Sequence, residues 1–273
     1  MFKFFIKHKI LKTAFSCFLR RNRVFKDIYL DQEAYLLGDG VSIKYFDLKY
    51  FSDKPCIPIS YIHFHNDARF LNMCFSVINE PFYFYPFFRL PYPPYTYWRN
   101  VIQIMYRKFR KLRPDVPFFT NISNFPVFLG TNNYYLFEDL PDSNFVDELK
   151  ANGLRPFDGS VRTGIVLAHY FGFRKIYLVG FDYTHNPSVA HHFYEKGHGQ
   201  IVDLGNHNSL FFSIAKKYIQ CVTITTNEKK SNYLDSISYE KYTGSKIMFK
   251  ENVEIVDLGI LNILDKWPDY KIF

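Results

Sequence analysis

The sequence predicts an α/β fold: a single Rossmann-like domain with a mostly parallel sheet, a lid segment and a basic N-terminal helix. Short apolar runs alternate with helical patterns along the chain, as they do where crossover helices join parallel strands. The run from Lys175 to Gly180 is almost continuously apolar, which is typical of a parallel strand covered on both faces. An earlier apolar run leads directly into a glycine turn at residues 38–40.

The composition excludes several classes of protein. Of the 273 residues, 48% are hydrophobic and 20% are aromatic, so the chain has enough apolar surface to fold. The four cysteines form no CxxC pair, which indicates reduced thiols and favours the cytoplasm. No apolar run reaches the roughly 18 residues of a membrane span, and lysines interrupt the N-terminal apolar stretch, so no secretion signal is predicted.

The net charge of +8 favours an anionic partner. Nucleic acid is disfavoured because no known nucleic-acid-binding signature is present. Residues 1–30 predict a basic amphipathic helix, and residues 31–273 the Rossmann-like domain. That helix either lies on an anionic membrane surface or packs on its own domain. Residues 82–113 are rich in proline and aromatic residues and then strongly basic, so segments 1–23 and 82–113 are the candidates for membrane contact.

The first half of the chain carries three predicted strands. Residues 34–38 predict a buried strand, followed by the turn Gly38-Asp39-Gly40 and a helical turn over 43–49. Residues 57–64 predict a second strand that ends at His65, and residues 117–121 a third. Glycines permit close approach to a ligand, and a helix start offers free N–H groups to a phosphate, although a turn of this kind often binds no phosphate.

The second half carries the clearest strand–helix pattern. A helix is predicted from Gly159, with Gly172 just beyond its end, followed by the strand 175–180. A further helix is predicted over 208–219 and a strand over 221–225. Ligands of open α/β sheets bind beyond the carboxyl ends of the strands, where Asp182 lies. Asp182 can hold a ribose or cap the adjacent turn.

Histidines are concentrated in one stretch, and five of the nine fall within 23 residues: His185, His191, His192, His198 and His207. Histidine suits proton transfer near neutral pH, although a metal site or a polar solvent loop would also explain the cluster. The spacing is not that of HExxH, and the sequence contains no DxD motif. We therefore expect no metal and no cofactor.

The LLGDGVS turn and the segment from Gly159 to Tyr183 together resemble the bacterial lipooligosaccharide sialyltransferases, and more distantly the MptE-like and motility-accessory-factor proteins. The resemblance covers about a third of the chain. It implies a sialyltransferase-like fold and a CMP-activated sugar donor used without metal. The family commonly has Asn where Asp39 stands, and its third-strand Asn-Pro falls on Tyr85-Pro86. These departures imply a donor or acceptor that differs from that of a close sialyltransferase.

The resemblance also implies roles for particular residues. The donor nucleotide would contact residues of both glycine turns, the second-strand end and the distal helix start: Gly38, Asp39, Gly40, Ser42, Asn66, Thr163, Gly164, Gly180 and Asp182. His63 and His65 are alternatives to Asn66 as the match to the family's second-strand Asn. The family's two leaving-group tyrosines fall on Thr184, with Tyr183 adjacent, and on Tyr194 in the lid, which spans about 186–208. Its general base falls best on His207, with His198 as the second choice.

These observations predict a bacterial cell-surface glycosyltransferase that moves a nonulosonic acid or Kdo from a CMP-sugar donor to a glycan or lipid-linked acceptor, in capsule or lipopolysaccharide biosynthesis. We expect it in the cytoplasm, peripheral on the inner face of the bacterial inner membrane. Homo-oligomerisation stays open. An MptE-like pyrophosphokinase or other nucleotide-phosphate enzyme is the first alternative, and a non-catalytic envelope-assembly protein is the second.

Overall fold

A computed structural model describes residues 13, 15–80, 94–125, 132–138, 140–203, 208–227, 230–231 and 233–273. It confirms an α/β fold with a mostly parallel, Rossmann-like sheet. Five parallel strands lie in the order β10-β9-β6-β1-β2, three more in the order β3-β4-β5, and β7 and β8 form an antiparallel hairpin. The strands are β1 (Glu33–Leu37), β2 (Cys56–Pro58), β3 (Ser76–Ile78), β4 (Phe118–Asn121), β5 (Asn133–Leu136), β6 (Lys175–Val179), β7 (Ser188–Ala190), β8 (Gln200–Val202), β9 (Gln220–Thr225) and β10 (Asp235–Ser238).

The five-stranded and three-stranded sheets lie side by side, with β2 next to β3, because isolated parallel bridges join Cys56 to Met73 and Ile59 to Val77. The chain starts at β1 in the middle, runs outward through β2 to β5, and returns to place β6 on the other side of β1. It then continues outward through β9 and β10. The connections after β1 and β6 therefore leave in opposite directions, and a crevice forms outside the carboxyl ends of these two strands.

Helices cover the sheet on both sides. The helices are α1 (Ser16–Arg20), α2 (Pro94–Leu112), α3 (Asn144–Ala151), α4 (Ser160–Tyr170), α5 (Ser209–Ala215), α6 (Tyr239–Thr243), α7 (Asn252–Ile255) and α8 (Leu258–Leu264). The α4 helix crosses β1 closely, and a Cβ atom on Gly164 would lie 2.6 Å from Leu36 Cδ1. Gly172 has a φ of +93° just after α4, as its predicted position beyond the helix end requires.

Two predicted elements differ from the structure. The strand predicted over 57–64 ends at Pro58, because Ser60 has a φ of +53° and starts a 3₁₀ turn over Ser60–Phe64. His63 is buried in that turn and forms a 2.9 Å hydrogen bond with the Ser76 hydroxyl, so His63 and His65 do not share a strand face. The helical turn predicted over 43–49 consists of two short 3₁₀ turns, Val41–Tyr45 and Leu48–Phe51.

The described part of the predicted N-terminal helix packs on its own domain. Helix α1 ends at Arg20 and a 3₁₀ turn follows to Phe25. The Phe18 ring lies 4.8 Å from the Phe125 ring, and the Phe25 ring stacks 5.2 Å from Phe171. Residues 1–12 and 81–93, which carry much of the predicted membrane contact, lie outside the described residues. Across the described chain, no helix combines the length and apolar character needed to span a bilayer.

Candidate nucleotide-binding site

The glycine turns after β1 and β6 pack directly against each other. The Gly40 N–H donates to the Gly180 carbonyl at 2.8 Å, and the Gly38 N–H donates to the Val179 carbonyl at 2.8 Å. A Cβ atom on Gly40 would lie 2.6 Å from the Gly180 oxygen. Gly180 itself has a φ of +79°, a region that favours glycine. These glycines are therefore needed for the contact between the two turns.

Asp182 holds this arrangement together. Its Oδ2 accepts the Ser42 N–H at 2.7 Å, and its Oδ1 lies 3.7 Å from His185 Nδ1. Asp182 does not cap the 3₁₀ turn that it starts, Asp182–Thr184, as one of its two predicted roles required; its carboxylate instead binds the start of the distant turn Val41–Tyr45. The backbone N–H of Ser42 is used by this contact and its side chain is buried, so Ser42 is not placed to bind a phosphate.

A cavity of about 690 Å³ lies over these turns at the carboxyl edge of the sheet. Its volume is in the range of small-molecule sites. Several parts of the chain line it: the turns after β1, β2 and β6, the start of α4, β7 with the two residues that follow it, and single residues at positions 208 and 233. The lining residues that bear on function are Asp39, Gly40, Ser60, Gly159, Ser160, Arg162, Asp182, Tyr183, His192, Asn208 and Tyr233.

One end of the cavity suits an anion. Helix α4 starts after Gly159 without a side-chain cap and without an acidic residue in its first turn. Its N–H groups and the helix dipole are therefore available to a negatively charged ligand. Arg162 lies in this first turn, and its Nε donates to Asn208 Oδ1 at 3.2 Å. Two carboxylates lie near this helix start: Asp158, 3.8 Å from the guanidinium and mostly exposed to solvent, and Glu80, which accepts the Ser160 hydroxyl at 3.3 Å and whose pKa is raised by burial.

The other end carries titratable groups. Burial raises the pKa of the Asp39 carboxyl, while the attraction of His192 opposes that rise. Burial alone would lower the pKa of His192, but the charges of Asp39 and Glu195 outweigh it and raise this pKa. His192 Nδ1 lies 2.9 Å from Glu195 Oε1. Such shifts are typical of groups that exchange protons in a site.

A second, smaller cavity of about 110 Å³ adjoins this end. It shares Asp39, Ser60 and His192 with the larger cavity. Its other polar neighbours include Glu80, whose pKa is raised by burial, and Tyr194. His192 and Asp39 therefore lie where the two cavities meet. Over the described ranges, no cluster of three or more His, Cys, Asp or Glu side chains has the geometry of a metal site.

The predicted donor-binding residues fall into two groups. Gly38, Asp39, Gly40, Gly180 and Asp182 come together at the two turns.

The remaining donor candidates lie elsewhere. The Thr163 hydroxyl donates to the Gly159 carbonyl at 2.9 Å inside α4, and Gly164 packs on Leu36. Asn66 is exposed and distant in sequence from the strand end, because β2 stops at Pro58. Ser60 takes the position beyond the strand that the sequence had suggested for Asn66.

Of the predicted catalytic residues, Tyr183 lines the cavity. The Thr184 hydroxyl is buried and donates to the Phe181 carbonyl at 2.7 Å. Tyr194 is fully buried beneath the ring of His192 and borders only the smaller cavity. His198 is exposed, and its Nδ1 lies 2.7 Å from Tyr45 Oη, outside both cavities. His207 lies outside the described residues.

The sequence assigned no site role to Ser60, Arg162 or Asn208, and His192 stood out only as one of five clustered histidines. Arg162 and Thr163 are consecutive residues of α4 and lie about 100° apart around the helix axis, so that Arg162 lines the cavity while the Thr163 hydroxyl bonds within the helix. The signal for His192 was its spacing to Glu195, three residues later, which allows a carboxylate to reach back to the imidazole. The contact of Asn208 with Arg162 joins residues 46 positions apart, so no local pattern indicates it.

Comparison with known proteins gave no match to a family model and none to a curated protein. Among solved structures, the chain is similar to the sialyltransferase CstII from Campylobacter jejuni in complex with the substrate analogue CMP-3FNeuAc. That match has 15% identity and a TM-score of 0.46, and it covers 86% of this chain and 99% of that one. A structure of the same enzyme with cytidine-5'-monophosphate has 16% identity and a TM-score of 0.41, covering 87% and 98% of the two chains.

Proposed function

We propose that the protein is a glycosyltransferase that moves a sugar of the nonulosonic acid class from a CMP-activated donor to a glycan or lipid-linked acceptor, without a metal ion. One observation carries the proposal: a single cavity joins an uncapped helix start with Arg162 to the titratable pair Asp39 and His192. The sequence resemblance in the turn at 38–42 and the segment 159–183 selects a CMP-sugar among nucleotide donors.

The anionic end would hold the donor phosphate. The first N–H groups of α4 and the guanidinium of Arg162 would bind the phosphate oxygens and stabilise the charge that develops as the sugar departs. Asn208 orients Arg162 through its side-chain oxygen. Tyr183 at the end of β6 supplies a hydroxyl within the same cavity.

The transfer itself needs few further groups. A CMP-linked sugar already carries a good leaving group, and its transition state is oxocarbenium-like, as in glycoside hydrolysis. The protein must orient the acceptor, take up its hydroxyl proton and limit access of water. The β7–β8 hairpin, which lies within the predicted lid, contributes Val189, His191 and His192 to the cavity wall. Closure of this segment over the donor would exclude water.

Calorimetry with CMP, CDP, UDP and ATP, each with and without magnesium, tests the proposal. We expect CMP to bind without magnesium and a CMP-nonulosonate to be consumed. Binding of ATP only in the presence of magnesium would instead favour the pyrophosphokinase alternative. CMP binding without turnover of any CMP-nonulosonate or CMP-Kdo would favour the non-catalytic alternative.

The substitution Arg162→Met is expected to weaken CMP binding by about 10- to 100-fold, because hydrogen bonds to a charged group are lost. Arg174→Met is the matched control. Arg174 lies at the amino end of β6, mostly exposed, 3.4 Å from Glu33 Oε1. We expect the control to bind CMP with unchanged affinity. Equal affinities of the two variants would contradict a phosphate site at the start of α4.

We also propose that the protein works in the cytoplasm, bound peripherally to the inner membrane face through basic segments in 1–23 and 82–113. The net charge of +8 supports this. Because Phe18 and Phe25 face the domain, membrane contact would fall to other side chains. Deletion of residues 1–12 is expected to reduce sedimentation with anionic vesicles, with neutral vesicles as the control. Undiminished sedimentation would contradict a role for that end.

A further inference from the structure

We propose that His192, positioned by Glu195, is the residue that accepts the proton of the acceptor hydroxyl. The inference rests on the proposed function and names a catalytic residue of that site. It assigns the role to a histidine of the β7–β8 connection, which differs from the sequence-based candidates His198 and His207. Three features of the structure support it: a fixed imidazole, a free ring nitrogen and a position between two cavities.

Glu195 fixes one side of the imidazole. Its Oε1 lies 2.9 Å from His192 Nδ1 and also accepts the backbone N–H of His192 at 2.9 Å. Its second oxygen accepts the backbone N–H of Lys271 at 3.4 Å. The Glu195 side chain is 3% exposed, whereas that of His192 is 38% exposed. The carboxylate is thus held by the backbone on the buried side, and the imidazole remains open to the cavity.

Two aromatic rings set the plane of the imidazole. The Tyr194 ring stacks on it at 4.9 Å with an interplanar angle of 6°, and the Tyr270 ring meets it edge-on at 5.7 Å. Because Nδ1 faces Glu195, the proton on that nitrogen is fixed by the hydrogen bond, and Nε2 carries the free electron pair. Within the part of the chain that the structure describes, Nε2 has no hydrogen-bond partner.

His192 also lies at the right place for the reaction. It borders the larger cavity, which would hold the donor, and the smaller one, whose wall combines polar side chains such as Glu80 with the apolar Ile78 and Ile102. The backbone next to it is fixed to the nucleotide turn, since His192 pairs with Gly40 in an antiparallel bridge and the Phe193 N–H donates to the Asp39 carbonyl at 3.0 Å. An acceptor hydroxyl between the cavities can therefore contact both the donor sugar and the imidazole.

The step balances without another reactant. The acceptor oxygen forms a bond to the anomeric carbon of the donor sugar while its proton passes to Nε2 of His192. The bond between the anomeric carbon and the phosphate oxygen breaks, and its electron pair leaves with CMP. The imidazolium that forms lies beside the carboxylates of Glu195 and Asp39, which stabilise it. Release of its proton to solvent restores the neutral base.

The groups that face His192 are Asp39, Asp182, Glu195, Tyr194 and Tyr270. Three of them are carboxylates, and together they raise the pKa of His192 against the effect of burial. The base must be neutral to act, so transfer is expected to increase with pH through a midpoint above the usual histidine value. Removal of the Glu195 charge would lower the pKa of His192 and move that midpoint to lower pH.

The experiment compares His192→Gln, Glu195→Gln, His198→Asn and His207→Asn in CMP calorimetry and in the pH dependence of sugar transfer. His192→Gln is expected to lower kcat by about 100- to 1,000-fold with CMP affinity nearly unchanged. Glu195→Gln is expected to retain part of kcat, and the midpoint of the acid limb of its pH profile is expected to move to lower pH. His198→Asn and His207→Asn test the two competing assignments, and each should have a far smaller effect than His192→Gln. Calorimetry also shows that each variant has kept a folded nucleotide site.

The possible results separate the two proposals. If the wild-type protein binds no CMP, the proposed function fails and the role of His192 fails with it. If CMP binds and His192→Gln retains full turnover, the role of His192 alone is overturned. A fall in wild-type activity as pH increases through the His192 pKa, measured by NMR of histidine-labelled protein, would likewise overturn its role as a base. An unchanged NMR pKa in Glu195→Gln would overturn the positioning role of Glu195.

Discussion

The substitution Gly40→Ala is expected to lower the free energy of unfolding by about 3 kcal/mol, because the added methyl group has no space. Its Cβ would lie 2.5 Å from Asp182 Oδ2 and 2.6 Å from the Gly180 carbonyl oxygen. Neither atom belongs to a flexible chain end, since Gly180 contributes backbone and Asp182 is held by the Ser42 N–H at 2.7 Å. The two turns must move apart, which would disrupt the floor of the cavity that lies over them.

Two further alanine variants calibrate this effect. Gly38→Ala is expected to cost less than Gly40→Ala, because its Cβ would meet the Gly180 oxygen at 2.8 Å and the movable Phe181 ring at 3.0 Å. In Gly153→Ala the added Cβ meets no atom within 4 Å. Its free energy of unfolding should therefore fall only by the strain of an alanine at a φ of +73°, about 1 kcal/mol. Urea denaturation measures all three, and calorimetry measures CMP binding. Equal stability of Gly40→Ala and Gly153→Ala would contradict the contact between the turns.

The central part of the fold was predictable because burial on both faces leaves a strong local pattern. Apolar runs at 34–38 and 175–180 predicted β1 and β6, and the structure pairs Tyr35 with Tyr177 in parallel register. The two turns meet because the carboxyl ends of neighbouring parallel strands share an edge of the sheet. The glycine pattern correctly indicated a position where two groups approach closely. The sequence alone could not show that the second group is the neighbouring turn and not a ligand.

The end of β2 was not predictable by the same argument. The apolar pattern continues past Pro58 because the following 3₁₀ turn is itself buried, with Ile62 and Phe64 fully inside the core. Burial leaves the same composition in a strand and in a buried turn, and only the positive φ of Ser60 separates them. The error moved the expected ligand contact six residues along the chain, from Ser60 to Asn66.

The choice among the five clustered histidines also depended on tertiary contacts. Their density predicted proton chemistry, but His198 turns outward to Tyr45 while His192 faces the cavity. Two contacts hold the segment that carries His192: Glu195 contacts the imidazole from three residues away, whereas Lys44 contacts the Glu195 backbone from a distant part of the chain. Lys44 lies 151 residues from the carbonyl that it contacts. Sequence patterns of one helix or strand carry no information about such a contact.

Lys44 connects the turn at 41–45 to the segment that carries His192. Its ammonium is fully buried and donates to the carbonyls of Glu195 at 2.7 Å and Gly197 at 2.8 Å. It also forms an ion pair with Glu251, whose carboxylate accepts the Gly197 N–H as well. Burial alone would raise the pKa of Glu251, but the hydrogen bonds from Lys44 and the backbone hold it below the usual value. One lysine therefore holds together the turn at 41–45, the segment after His192 and the start of α7.

Lys44→Met is expected to lower the free energy of unfolding by about 3 kcal/mol, the low end for removing one partner of a buried ion pair, because the Glu251 side chain is 29% exposed. Sugar transfer should fall more than CMP affinity, since the segment that holds His192 loses its anchor while Arg162 and α4 are untouched. Lys54→Met is the matched control, because Lys54 pairs with the mostly exposed Asp53 and such pairs contribute about 1 kcal/mol or less.

The double variant Lys44→Met/Glu251→Gln separates the ion pair from the lost carbonyl contacts. If the unpaired carboxylate accounts for much of the loss, the double variant should be more stable than Lys44→Met. The Glu251 contribution should also depend on pH. Since its folded-state pKa is lowered, that contribution is complete above about pH 4.5 and is lost as the pH falls through the lowered value. A Lys44→Met protein as stable as Lys54→Met, with normal transfer, would show that the His192 segment is held without Lys44.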